Sequence, residues 1–465
     1  MPATMSLFAE VLPADCVVAG DAVSDDYAHD ECLTVDAVAP AAVLFPTCTE
    51  EVSAILRVAD QHRIPVTARG SGTGLSGSAV PRTGGVVVSF ERMNQLLELD
   101  VDNQVAVVQP GITLAELDEH TAAAGLLYPV YPGEYSASLG GNVATNAGGM
   151  RAVKYGVTRQ HVLGLEVVLA GGEVIRTGGK VMKSSTGYDL TQLFTGSEGT
   201  LGLTTEVTLR LQPRLPCRAT VMAPFATLDQ VTAAVPRVVA SGLDPTILEY
   251  IDLLTLSATL DHVGLDLGIP DDIRQQALAY LVVSLEGRQQ AWLDDDVEAL
   301  GALLDGLGAL DVYVLPDHAA VGLIEAREKA FFVAKANGAD DIVDVVVPRA
   351  SIADFMGKVA DLAAAEGAWI AGCGHAGDGN VHLAVFQADS ERRSRLLRAL
   401  FEIGVGAGGV ISGEHGIGLA KKAYYLALED PVKVELQRRI KAAFDPHGIL
   451  NPGNLFDPTD GVTAP

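Results

Sequence analysis

Apolar positions along the chain change their period several times, and each change marks an element. From Thr49 onward, Val52, Ile55, Leu56 and Ala59 recur at the spacing of one helical face, and Pro65 stops the run before a strand over 66–68. Alternation over 104–109 predicts another strand, after which Thr113 and Glu116 have the spacing of a capping box for a helix that Gly125 ends. Runs at 165–170 and 174–177 flank Gly171-Gly172 as a hairpin, and 203–211 alternates again. Beyond Pro213 and Pro216 glycine thins out, and alanine- and leucine-rich helical stretches alternate with strands such as 279–285 and 342–347. That change of texture puts a domain boundary near residue 216. Close to the end, Asp430 caps a helix with Pro431 at its first position and Val432, Leu436 and Ile440 along one side.

Three glycine-rich stretches interrupt this pattern. The first, Arg69-Gly70-Ser71-Gly72-Thr73-Gly74-Leu75-Ser76-Gly77, follows the strand at 66–68. Gly72, Gly74 and Gly77 match the GxGxxG dinucleotide fingerprint, and Glu91 falls near the place of its ribose-binding acid. The context does not match: Pro81 and Gly84-Gly85 lead into a strand at 86–89 where the fingerprint requires a helix. What remains is a run of backbone N–H groups free of Cβ crowding, able to form a concave nest for a pyrophosphate. The second stretch, 132–149, contains Pro132, Gly133, Ser138, Gly140, Gly141, Asn142, Thr145, Asn146 and Gly149, with Tyr155-Gly156 shortly after. It has no amphipathic period and reads as backbone running close along a large polar ligand. The third, 195–202, carries Glu198, Gly199 and Gly202.

The densest chemistry lies later, in GHAGDGNVH at 374–382. His375 and His382 are seven residues apart, which in an unbroken strand would put them on opposite faces. The Gly-Asp-Gly-Asn insert between them is turn chemistry that folds the chain back and lets both imidazoles converge. A second polar cluster, Gly413-Glu414-His415-Gly416-Ile417-Gly418, is again bracketed by glycines. Two histidines and a carboxylate are the ligand set of an open, catalytic metal site, whereas a closed structural site would recruit cysteines and fill four positions. Arg327, on a helix predicted over 324–329, is a candidate for holding a carboxylate.

A length of 465 residues implies two domains, arranged in as many as three segments. The net charge of -27 argues against a nucleic-acid partner, which needs a basic stripe, and requires any anionic substrate to find its own local cation. The five cysteines are scattered without a CxxC pair, which excludes a cysteine-ligated iron–sulfur cluster and gives no disulfide framework. A reducing, cytoplasmic setting fits. The N-terminal stretch lacks the basic and apolar regions of a secretory signal, and no run reaches the eighteen apolar residues of a transmembrane segment. Peripheral contact with the inner face of a membrane stays open.

Taken together, RGSGTGLSG, PGEYSASLGGNVATNAGG, FTGSEGTLG, GHAGDGNVH, GEHGIG and the closing ILNPGN stand in the order of a known family. Over nearly its whole length the chain resembles the FAD-dependent D-2-hydroxy-acid dehydrogenases, which include D-lactate dehydrogenase, D-2-hydroxyglutarate dehydrogenase and the related flavoprotein of glycolate oxidase. The resemblance implies an α+β fold of the vanillyl-alcohol-oxidase type. Its FAD-binding domain of two α+β subdomains would span 1–215, a cap 216–410, and a C-terminal segment 411–465 would return to the FAD domain. It implies that 70–77 and 140–146 hold the pyrophosphate and neighbouring groups, and it extends the cofactor set to Arg69, Glu198, Gly199, Gly202 and Asn451. No histidine occurs over 69–78, so the FAD is expected to be non-covalent.

By the same resemblance, His375, His382 and Glu414 would bind zinc or manganese, His415 would be the general base, and Asn380 and Arg327 would orient the substrate. After Arg327 come Ala330, Phe331, Phe332 and the acidic 337–344, which favours lactate, glycolate or a longer apolar hydroxy acid over a dicarboxylate such as 2-hydroxyglutarate. Lys329, Lys335 and Lys421 are the alternative cations for a second carboxylate. A sugar or lactone oxidase on the same fold, or a flavoprotein component of a glycolate oxidase that needs partners, are the alternative readings. The electron acceptor stays open among a quinone, a cytochrome and an electron-transfer flavoprotein, and a homodimer is compatible with the sequence.

Overall fold

Three large sheets, joined by a two-stranded pair of Leu126–Leu127 with Gln212–Pro213, organise the described residues. The computed structural model describes residues 3–457, with side chains from residue 6 onward; the outermost positions of both expected end segments lie outside the described residues. The first sheet is four-stranded, in the order Val17–Ala19, Ala42–Leu44, Val86–Ser89, Val66–Arg69, and only its first pair is antiparallel. Against it packs the helix Thr49–His62, with Val52, Ile55, Leu56 and Ala59 completely buried, as their spacing predicts. Burying each of the larger three is worth about 1.5–3 kcal/mol. The end of the chain joins the free edge of this sheet. The Val66 N–H donates to Ile449 O at 2.8 Å, and the Asn451 N–H donates to Val66 O at 2.7 Å.

The second sheet is five-stranded and antiparallel, ordered Leu96–Asp100, Val105–Val108, Leu203–Arg210, Val162–Val168, Val174–Gly178. Leu203–Arg210 alternates strictly between buried and half-buried positions, and the predicted hairpin turns at Gly171-Gly172, where Gly172 has φ +87°. The capping box is present: the Thr113 side chain accepts from the Glu116 N–H, and the Glu116 carboxylate accepts from the Thr113 N–H.

The third sheet has seven antiparallel strands, ordered Tyr313–Leu315, Cys217–Phe225, Ala279–Gly287, Ile247–Asp252, Trp369–Gly374, Asn380–Phe386, Asp341–Val346. One face carries the largest core, formed with the helices Leu228–Ala240, Gln290–Gly306, Ile352–Glu366 and Ser390–Gly406. Leu248, Tyr250, Val343, Val345, Val381 and Leu383 all point into that core. Period two therefore sends their neighbours Glu249, Asp344 and His382 to the opposite face.

Two predicted features differ. The second glycine-rich stretch, which carries no amphipathic period, nonetheless contains a short helix, Leu139–Thr145, with the Ser138 hydroxyl accepting from the Gly141 N–H. Near the end, helix Pro431–Phe444 forms as predicted, but Val432 and Leu436 face solvent and the buried residue is Val434. The helix lies on the surface, so the regular spacing of Val432, Leu436 and Ile440 does not mark a buried stripe. Among the described residues, no helix is long and apolar enough to cross a membrane.

Candidate active site

The strands Trp369–Gly374 and Asn380–Phe386 pair antiparallel, with Cys373 opposite His382, so the intervening turn folds His375 back over its neighbour. Gly379 makes that turn possible: its φ is +92°, and a Cβ there would lie 2.0 Å from Val347 O. The two imidazole centroids end 4.8 Å apart, and Glu414 arrives from the loop 413–418. Glu414 Oε1 lies 3.2 Å from His375 Nε2 and 3.2 Å from His382 Nε2. The ligand atoms of His375, His382 and Glu414 lie within 4.8 Å of one another, in buried or nearly buried positions.

A second tier of acids supports this triad. Glu249, on the strand Ile247–Asp252, places Oε1 2.6 Å from His375 Nδ1 and Oε2 2.9 Å from the Arg327 guanidinium. His375 thus bridges two carboxylates. Burial alone would lower its pKa, but Glu249 and Glu414 overcome that and raise it to about 10. Burial raises the pKa of Glu414, yet the two imidazoles draw it well below its ordinary value. His382 is moved the other way, mainly by burial, and favours the neutral form.

His415 is held by a separate acid. Asp344 is fully buried, and its Oδ2 accepts the N–H groups of Gly413, Glu414 and His415, each at 2.9 Å. Its Oδ1 pairs with the Lys421 ammonium and lies 3.5 Å from His415 Nδ1. Burial, with Lys421 and His382 nearby, lowers the His415 pKa to about 4 against the pull of Asp344, so the imidazole is neutral at pH 7. Lys421 is therefore committed to Asp344. Lys335 pairs with Glu31 at 2.7 Å. Replacing Asp344 by Asn should leave Lys421 buried without a counter-charge and cost about 3 kcal/mol of unfolding free energy. Denaturant titration of wild-type and Asp344→Asn holoproteins measures this, and equal midpoints and slopes would disprove it.

Two cavities meet at this wall. One, of about 650 Å³, is bounded by His375, His382, Glu414, His415 and Arg327. The other, of about 170 Å³, is bounded by Glu414 and His415 at one end and by the glycine-rich stretches along its length. From the first stretch it takes Gly70, Ser71, Gly72, Thr73 and Gly74; from the second Pro132, Ser138, Gly141, Asn142 and Thr145; then Glu198, Gly199 and Asn451. Gly133 borders the larger cavity, while Gly140 and Gly202, with Arg69, border a separate space of about 70 Å³. Asn142 Nδ2 is buried with no hydrogen-bond partner, a donor left available on the cavity wall.

Several predicted cofactor residues do other work. The Arg69 guanidinium donates to the His29 carbonyl at 2.6 Å and packs on Gly72, where a Cβ would lie 2.1 Å from its Nη2, so it braces the loop instead of lining the glycine-lined cavity. Gly77, Asn146, Gly149, Tyr155 and Gly156 do not border these cavities. Asn146 caps the short helix in the left-handed region and accepts from the Arg159 N–H, and the Tyr155 hydroxyl bonds Glu286 of the seven-stranded sheet. A Cβ at Gly149 would strike Tyr131 O at 1.8 Å, so that glycine serves a backbone crossing. Glu198 accepts from the N–H groups of Ile417 and Gly418, each at 2.8 Å, and from the Ser78 hydroxyl at 2.7 Å. Its carboxylate clamps the loop of Glu414 and His415 onto the first glycine-rich loop. Asn451 donates to Ser78 O and Glu198 O.

Asn380 sits behind the cavity surface, packed so closely on Gly413 that a Cβ there would lie 2.7 Å from its Nδ2. It shapes the loop that carries Glu414. Sequence reasoning did not single out Glu249 or give Asp344 a role. The available signal was a single acid at a mid-strand position among buried apolar residues, in ILEYID and DIVDVV.

Comparisons with known proteins agree with this architecture. Residues 40–178 match the FAD binding domain family, and 215–455 match the C-terminal domain of FAD linked oxidases. An uncharacterized FAD-linked oxidoreductase of Mycobacterium tuberculosis is 57% identical, over 97% of this chain and 98% of its own length. A glycolate oxidase subunit of Bacillus subtilis is 38% identical over 90% of this chain and 89% of its own, and a D-lactate dehydrogenase of Anaerostipes hadrus 37% identical over 98% and 97%. Among solved structures, p-cresol methylhydroxylase with substrate bound superposes with a TM-score of 0.77 at 20% identity, covering 98% of this chain and 97% of the other, which shows the shared vanillyl-alcohol-oxidase-type fold. The chain belongs to the FAD-linked oxidoreductase family that contains the D-lactate dehydrogenases, glycolate oxidase subunits and D-2-hydroxyglutarate dehydrogenases.

Proposed function

We propose that this protein oxidises a D-2-hydroxy acid to the 2-oxo acid, using non-covalent FAD and a divalent metal, zinc or manganese, held by His375, His382 and Glu414. The observation that carries this reading is the shared wall: the triad and a neutral histidine stand where the glycine-lined cavity opens into the larger one. A divalent cation fits the donor set. Buried Glu414 Oε2 and His382 Nε2 have no hydrogen-bond partner, and the contact of His375 Nδ1 with Glu249 leaves Nε2 for the centre. The glycine-lined cavity, where Asn142 Nδ2 is without a partner, would hold part of FAD, and Thr73, Pro132 and Gly133 continue that lining into the larger cavity.

When bound, the flavin supplies the acceptor for the Cα hydride, and the metal supplies Lewis-acid polarisation of the substrate hydroxyl. The chain's own groups do the rest. His415 takes the hydroxyl proton; its Nδ1 faces Asp344, which leaves Nε2 for the substrate. Arg327, buried and cationic beside Glu249, attracts the substrate carboxylate and holds Cα in register. Glu198 keeps the His415 loop against the flavin loop. A sugar or lactone oxidase has no use for the triad, so metal content separates that reading from ours.

The test is the visible spectrum of the anaerobic, metal-replete protein before and after D-lactate, glycolate, D-2-hydroxyglutarate, D-2-hydroxyoctanoate and the L enantiomers. Bleaching of the flavin band by a D acid and not its L enantiomer is expected. A flavin band that no hydroxy acid bleaches would overturn the proposal.

A further inference from the structure

The larger cavity extends well beyond the triad, and aromatic and aliphatic side chains gather along part of its outer wall, between acidic and hydroxyl groups. At the inner end stand Arg327, His375 and Glu414; further out the walls are formed by Ala330, Phe331, Val333, Ala371 and Phe386. At the surface the same cavity is rimmed by Leu254, Phe332 and Trp369, which are 45%, 44% and 61% exposed. Single exposed apolar residues are ordinary. Here three of them, from the helix Leu253–Val263, the helix Ala330–Ala336 and the strand Trp369–Gly374, converge on one opening. Phe331 packs edge-on against Phe332 with centroids 5.1 Å apart, and Trp369 lies 6.0 Å from Phe386, so two of the three rim residues continue an aromatic pair on the wall.

The charges along this route have one sign. Glu31, Glu134, Asp261 and Glu328 border the cavity, whereas its cation, Arg327, sits at the inner end beside Glu249. Lys335, the nearby surface cation, is paired with Glu31. Arg327 is the one Lys or Arg among the described residues lining the cavity, so a second carboxylate on a substrate would meet mainly acids along the walls. Of the cavity's volume of about 650 Å³, the share along Thr73, Leu75, Pro132 and Gly133 belongs to the flavin side, and the remainder, running out to the rim, is what a substrate side chain can enter.

We propose that the preferred substrate is a D-2-hydroxy monocarboxylic acid with a long apolar group on Cα, housed in a funnel from the His375–His382–Glu414 centre to the Leu254–Phe332–Trp369 rim. This rests on the reading of the centre as a hydroxy-acid site. The reaction is otherwise unchanged: the Cα hydride goes to the flavin, the hydroxyl proton goes to His415, and a long-chain 2-oxo acid leaves.

Binding and turnover can be measured separately on the FAD- and metal-loaded protein. Pyruvate, 2-oxobutyrate, 2-oxohexanoate, 2-oxooctanoate and 2-oxoglutarate are titrated while the shift of the visible flavin band is followed, and the corresponding D-2-hydroxy acids are tested for anaerobic bleaching. Each methylene that enters the funnel should tighten binding roughly fourfold, which places 2-oxooctanoate at least about 100-fold tighter than pyruvate. 2-Oxoglutarate should bind no better than pyruvate. Trp369→Asp or Phe332→Asp, both at exposed positions that folding tolerates, should cut the 2-oxooctanoate-to-pyruvate ratio by about tenfold.

A flat series, or tightest binding by pyruvate or 2-oxoglutarate, overturns the funnel; if D-lactate still bleaches the band, the reaction stands without it. Chain-length-ordered binding with no bleaching by any D acid supports the funnel and sinks the reaction. Absence of any band shift overturns the funnel as well.

Discussion

His415→Ala is expected to retain its flavin and its metal and to reduce that flavin about 10²- to 10⁴-fold more slowly with a D-2-hydroxy acid. The separation of effects follows from where the side chain is held. His415 is outside the group of ligand atoms formed by His375, His382 and Glu414, although its ring centroid is 5.2 Å from that of His382. It contributes one wall residue among many to the glycine-lined cavity, so FAD retention does not depend on it. What it alone provides is a neutral imidazole outside the group of ligand atoms, and burial supplies that state. Asp344 limits its rotation from behind and is itself fixed by three backbone N–H groups and Lys421. Anaerobic stopped-flow reduction, with metal content and flavin absorbance measured on the same sample, tests the prediction. A near-normal rate would remove His415 as the base, and loss of flavin or metal would make its role structural.

How much of this was legible in the sequence depended on the range of each interaction. The histidine hairpin could be read because the Gly377, Asp378, Gly379 and Asn380 turn is local, and its effect on His375 and His382 follows from strand geometry. The helix face of Val52, Ile55, Leu56 and Ala59 was equally plain, since each lies in the core of the first sheet. The helix Leu139–Thr145 was hidden by its own composition. Gly140 and Gly141 weaken it intrinsically, and what holds it is the Ser138 cap together with packing so close that a Cβ on Gly140 would lie 2.6 Å from Pro110 Cβ. Glu249 and Asp344 escaped because their meaning is long-range. Glu249 meets His375 across 126 residues, and Asp344 receives the Glu414 N–H across 70. No periodicity records such a pairing; only the oddity of an acid inside an apolar strand does.

The same long-range network governs the second large effect. His382→Ala should lose metal and activity together, whereas His415→Ala loses activity alone. His382 is one of three ligand-bearing residues, and its removal leaves Glu414 with one imidazole neighbour and a void where the ring stood 4.8 Å from that of His375. The remaining pair, His375 and Glu414, closes on itself: their 3.2 Å contact becomes an ordinary imidazole–carboxylate pair, with Glu249 behind it. Such a pair favours a proton on His375, whose pKa is already about 10, over a cation. Lewis-acid polarisation is worth several kcal/mol of transition-state stabilisation, so turnover should fall by roughly 10³-fold or more, and added zinc or manganese should not restore it. The flavin should remain, because His382 is absent from the wall of the glycine-lined cavity. Metal analysis and flavin absorbance on the purified variant, followed by reduction with and without added metal, decide the matter. A His382→Ala protein that keeps stoichiometric metal, or that turns over normally without it, would dismantle the triad and return His375 and Glu414 to the status of a buried ion pair.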